Sequence, residues 1–157
     1  MVWLGLSAKL KTSLFERPLD GATHSGKLVD LVEEDSPELV FYRSNAMKCP
    51  PLESGKLRYP TRQELETCWP NTVAELEILK PRCLLVLGTI VAKHVERMTG
   101  VMLEKPTDTY RYKFSKWPEM NICVMWIHHP SFIQTYRRKA VSRFREGLVT
   151  RLASLKP

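Results

Sequence analysis

Residues 121–136 read NICVMWIHHPSFIQTY, an apolar run, Ile122–Ile127, that meets His128, His129, Pro130 and Ser131 without a spacer. A short apolar run stopped by a polar turn reads as a buried strand that delivers its last side chains to a loop at its carboxyl end. Open α/β sheets bind ligands along that edge. The stretch therefore predicts a sheet and, at one edge of it, a site.

Working outward, Cys83–Leu87 is the most continuous apolar run and predicts a central strand covered on both faces. Gly88-Thr89 opens a helix through about Met98, closed by Gly100. Upstream, Thr61 and Glu64 have the spacing of a capping box and start a helix that runs to Pro81, with Pro70 inside it. Residues 2–5 and 39–42 supply two more strands, and 27–34 a short helix. No regular element is expected in 46–60, which contains Pro50-Pro51 and Gly55. Residues 101–120 predict a loop with a short strand or hairpin. The 131–155 stretch predicts one helix with a stripe at Phe132, Tyr136, Ala140, Phe144, Leu148 and Leu152. Strand alternating with helix four times gives a three-layer α/β/α fold with a mainly parallel, four-stranded sheet. Residues 1–157 form one domain in this reading.

With 43% hydrophobic and 26% charged residues in 157, the composition is that of a globular chain. No apolar run reaches the roughly 18 residues a membrane span needs. The first residues, MVWLGLSAKLK, lack a basic stretch ahead of their apolar ones. A cytoplasmic monomer without membrane contact is expected. Lys and Arg exceed Asp and Glu by 24 to 17, a net +7 that suits polyanions and equally a bland basic surface. Cys49, Cys68, Cys83 and Cys123 are widely spaced and read as reduced thiols or partial metal ligands ahead of disulfides.

The strand order places Gly5, Leu6, Ser7 and on to Lys9, Ser44 to Lys48, Gly88-Thr89 and His128 to Ser131 on one edge. Asn45 and His129 thus follow different strands on the same edge. An amide offers a donor and an acceptor together, as the edge of a nucleobase requires. An imidazole can stabilise negative charge developing on a ring oxygen. Singly, each residue has an ordinary reading, a turn former and a structural hydrogen-bonding histidine; together they suggest one pocket. His94 reads as a surface helix residue. There is no G-x-S-x-G elbow, no phosphate-loop or dinucleotide glycine pattern, and no His pair at metal-ligand spacing. Arg137, Arg138 and Lys139 follow the His129 loop directly and could meet a phosphate backbone there, or form a solvated cationic face.

These residues carry a family resemblance. Residues 44–51, SNAMKCPP, resemble the Asn-x-x-Lys-Cys-x-Pro-Pro signature of the uracil-DNA glycosylase superfamily, in particular of its iron-sulfur-containing type. Residues 61–95, the His129-Pro130-Ser131 loop, Arg17-Pro18-Leu19 and 25–30 are similar to further segments of that type. The resemblance implies a hydrolase that flips a damaged base out of DNA and cleaves its N-glycosidic bond, Asn45 reading the base and His129 stabilising the anionic leaving group. Leu6 stands where that type has a carboxylate near the attacking water, and Leu19 where it has a stacking aromatic. Glu16 or Asp20 could supply the missing carboxylate from the loop. Cys49 and Cys68 match two of four thiolate ligands, so a cluster is expected only if two further ligands join them; no cofactor is expected otherwise. The alternatives are a nucleic-acid-binding protein with a degenerate pocket and an enzyme acting on free nucleobases or nucleotides.

Overall fold

In the computed structural model, residues 1–8 and 17–155 are described. Four parallel strands form the frame: β1 (Val2–Ser7), β2 (Tyr42–Met47), β5 (Cys83–Leu87) and β7 (Ile122–Ile127). Their order is β2-β1-β5-β7, and β6 (Ser115–Trp117) adds an antiparallel edge beyond β7. The sheet is therefore mixed and five-stranded, where four strands were expected. The extra strand folds back through the turn 118–121, closed by Asn121 N–H donating to the Pro118 carbonyl, with Asn121 at φ 55°. Asparagine is one of the few side-chain-bearing residues at ease in that left-handed conformation.

Alternation along β5 assigns the two faces. Leu84 and Val86 pack under α2 (Arg62–Leu79) and α3 (Gly88–Thr99), whose Leu65, Trp69, Leu76, Val91 and Val95 complete one apolar layer. Cys83, Leu85 and Leu87 face the other way, against Leu28, Val29 and Val32 of α1 (His24–Glu34), Ile133 of α4 (Pro130–Tyr136), and Phe144, Leu148 and Leu152 of α5 (Val141–Ala153). Both faces of the parallel strands are thus covered, which is why β5 is apolar at every position. The capping box at the start of α2 is made in full: Glu64 N–H donates to Thr61 Oγ1 at 3.2 Å and Thr61 N–H to Glu64 Oε2 at 2.7 Å. Gly100 closes α3 at φ 70°.

Four other expectations are corrected. The second strand runs from 42 to 47, not 39 to 42; Val40 is exposed, and the polar Ser44 and Asn45 lie within the strand. An edge strand needs its backbone paired on one side only, so its side chains can be spent on the site. Residues 46–60 do contain a hairpin, β3 (Leu52–Glu53) and β4 (Lys56–Leu57), turned by Ser54 and Gly55 at positive φ. The single C-terminal helix is broken into α4, a 3-10 turn (Arg138–Ala140) and α5, because Arg137 leaves helical geometry at φ −133°. Phe132 and Tyr136 consequently drop out of the buried stripe. Finally, His94 is 1% exposed, edge-on to Trp69 at 5.2 Å between ring centroids, and burial lowers its pKa below the usual imidazole value.

Candidate functional site

The chain leaves β1 to one side for β2 and returns on the other side for β5, so the direction of winding reverses between β1 and β5. Ligand crevices of open α/β sheets form at such a reversal. Here side chains at the ends of β2 and β7 lean over glycines at the ends of β1 and β5. Asn45 is paired in register with Gly5, and a Cβ on Gly5 would stand 2.6 Å from Asn45 Oδ1. Beyond β7, His129 lies against Gly88 just past β5; a Cβ there would approach the His129 Cβ to 3.2 Å, and Gly88 also holds φ 79°. The glycines are needed for the amide and the imidazole to sit where they do.

The imidazole, and the backbone that carries the amide, are anchored from behind. Ser131 N–H and Oγ–H point at His129 Nδ1, at 3.2 and 2.7 Å, so His129 is the N-cap of α4. With Nδ1 accepting the backbone N–H, the proton of the neutral ring is on Nε2. The main-chain carbonyl of buried Asn45 accepts from Lys48 Nζ at 2.8 Å, and the same ammonium contacts Glu75 Oε2 at 2.7 Å and Ser44 Oγ at 2.8 Å. Ser44 also donates to Glu75 Oε2 at 2.6 Å.

The loop in front of α1 is tied down by Arg43. Its side chain, 6% exposed, donates to Glu33 at 2.9 and 2.7 Å and to Asp30 at 2.5 Å, and its Nη1 reaches the Leu19 carbonyl at 2.7 Å. Leu19 is held at φ 53°. A leucine rarely adopts that conformation without external bonds of this kind. Asp20 follows, its Oδ1 accepting Ala22 N–H at 2.9 Å and its carbonyl accepting Thr23 N–H and Oγ1–H. Gly21 and Gly26 let the loop lie against Asp30 and the first turn of α1; a Cβ on either would collide with the Asp30 carboxylate or the Asp20 carbonyl.

These elements enclose a cavity of about 610 Å³. Gly5, Leu6, Ser7, Leu19, Asp20, Asn45 and His129 line it together. Ser131 does not, and acts on the cavity through His129. Arg137, Arg138 and Lys139 line a different cavity of about 490 Å³, with Tyr110, Tyr136 and Arg143. Lys9 and Glu16 lie outside the described residues. Missed from the sequence were Arg43, Glu75, and Leu57, Arg58 and Tyr59 at the cavity wall. An arginine inside an otherwise apolar-to-polar strand was the one available signal.

The family model of the uracil DNA glycosylase superfamily matches residues 8–153. The chain belongs to the uracil-DNA glycosylase superfamily. It is also similar to the type-4 uracil-DNA glycosylase of Pyrobaculum aerophilum, at 38% identity over 65 residues, which is 41% of this chain and 32% of that relative. The chain thus matches about a third of the length of that curated relative.

Superfamily membership raises the question of a cluster. All four cysteines are free. Cys83 is buried in β5, opposite Cys123 of β7, and burial pushes its thiol far above the ordinary range. Both pack in the apolar layer opposite that of Cys68, and no group of three or more His, Cys, Asp or Glu among the described residues is arranged to hold a metal. The residues present do not fit a four-thiolate set.

Proposed function

We propose that this protein is a DNA glycosylase that hydrolyses the N-glycosidic bond of uracil or another damaged base, with residues 1–157 acting as one domain on DNA. The observation that carries this reading is the pairing of Asn45 and His129 over Gly5 and Gly88 in one cavity. A flipped base lying between them meets an amide that can donate and accept along its edge. A base with the wrong edge would leave the buried amide unpaired, which gives discrimination.

In the reaction, water adds to the anomeric carbon as the carbon–nitrogen bond breaks and its electron pair passes to the base. His129 Nε2–H donates to the base oxygen on which negative charge collects. Among the described residues two carboxylates, Glu75 and Asp20, face the cavity. Glu75 is occupied by Lys48 and Ser44, so Asp20 is the candidate to orient the water and take its proton. Gly5, Leu6, Ser7 and Leu19 shape the walls around the base, and Ser131 orients His129. Arg137, Arg138 and Lys139 hold the DNA backbone.

Purified protein in excess over oligonucleotides containing uracil, hypoxanthine or a mismatch should leave abasic product from at least one. Absence of product from all three overturns the enzymatic reading. A second reading is favoured by Leu6, an apolar wall where related enzymes carry a carboxylate: a protein that binds nucleic acid without cleaving it. Binding that weakens with salt, yields no product and is barely changed by Asn45→Ala would favour it.

A further inference from the structure

The break at Arg137 turns one face of α4 outward. Phe132 is 39% exposed and Tyr136 is 74% exposed, one helical turn apart, with ring centroids 5.7 Å apart and planes at 40°. Behind Phe132, the His128 ring lies nearly parallel, at 9° and 6.3 Å. His128 is fixed in turn by Tyr112, whose hydroxyl is 3.1 Å from Nδ1. Three rings therefore form a row that starts beside His129 and ends at the second cavity. That end is cationic: Arg138, braced by Nε on the Gln134 carbonyl at 3.0 Å, Lys139, Arg143 beside the Tyr110 ring, and Arg137, which reaches Asp108 at 3.3 Å.

Large exposed rings flanked by cations need a partner that has both π-faces and negative charge. Nucleic acid has both, but a duplex keeps its base faces stacked on each other and presents only edges and phosphates. Exposed rings at the end of a stacked row are matched by bases that have lost their neighbours. We propose that the outer face of α4 is a stacking track for an unpaired nucleic-acid strand, with Phe132 and Tyr136 as its platforms and the Arg138–Lys139–Arg143 cavity as its phosphate site. Seven helical residues rise about 10 Å. That length carries two platforms, one for each of two successive unstacked bases. The track thus holds the nucleotides flanking whatever enters the Asn45–His129 cavity.

The inference rests on nucleic acid being the ligand of the protein, and its test avoids any target base so that strand binding and base excision are read separately. The probes are a dye-labelled 15-nucleotide thymidine strand and the same strand paired with its complement, titrated by fluorescence anisotropy. The single strand should bind more tightly than the duplex. Phe132→Ala and Tyr136→Ala should each weaken the single strand at least about fivefold and the duplex less than about twofold. Tyr136→Phe, which keeps the ring, should stay within about twofold of wild type. Both positions are at the surface, and unchanged thermal midpoints establish that the variants fold. Equal affinity for the two probes, or ring deletions that leave single-strand affinity intact, overturns the track. So does failure to bind the single strand, whatever the outcome of the excision assay.

Discussion

The two cavities are built in opposite ways. The first is set into the edge of the sheet: its side chains rest on glycines, its loop hangs from a buried arginine, and every anchor has a partner within hydrogen-bond distance. The second is assembled on the surface of a broken helix from long cationic side chains and two tyrosines. A site that must tell one base from another needs fixed donors and acceptors; a site that only has to attract a strand can leave its charges on flexible stems. Rigidity and reach are thus divided between two places on one chain.

That division can be broken at its anchor. Arg43→Leu leaves Asp30 and Glu33 without their guanidinium, and chemical denaturation should register a loss of about 3 kcal/mol, the lower end for a broken buried pair because both carboxylates are partly open. The exposed pair Arg62–Glu66 offers the contrast: Arg62→Ala should change stability by less than about 0.5 kcal/mol. Gly5→Ala pushes the Asn45 amide aside while leaving the fold intact. Base excision should fall about 100-fold, since misplacement of about 1 Å costs that much, with affinity for the thymidine strand unchanged.

At the second cavity the expected effect is smaller and depends on salt. Arg138→Glu with Lys139→Glu should weaken strand binding about tenfold at low ionic strength and flatten the plot of log affinity against log salt by one to two units. Equal flattening by Gly5→Ala would erase the distinction between the cavities. The smallest effect lies outside both. Burial lowers the His94 pKa in the folded state, so the unfolded chain binds the proton first as pH falls below about 6.5. Stability is therefore full above about pH 7 and declines toward pH 5. Thermal melts of wild type and His94→Gln should converge or cross over that interval, and parallel curves would refute it.

Much of the frame is legible in the sequence. The four parallel strands, the alternating helices, the Thr61 cap and the gathering of Asn45 and His129 at one edge all follow from apolar periodicity and from turn residues placed at strand ends. What escaped has physical causes. The register of β2 was misjudged because an edge strand can carry Ser44 and Asn45 where a central strand could not. The hairpin β3–β4 has two residues in each strand, all exposed, so it leaves no alternation to read. His94 reads as a surface residue because a polar side chain ordinarily signals exposure, whereas here it is buried against the Trp69 ring. The Arg43 clamp joins residues 10 to 24 positions apart, and only the crossover from α1 to β2 brings them together.

The capping of α4 by His129 has one more consequence. Its Nδ1 is committed to the first turn of that helix through Ser131. Rotating the ring away would strip the first turn of its cap, so the aim of the imidazole and the footing of the helix that carries Phe132 and Tyr136 are one contact. Two cavities of different build thus hinge on a single histidine, one end of whose ring serves the helix while the residue lines the pocket.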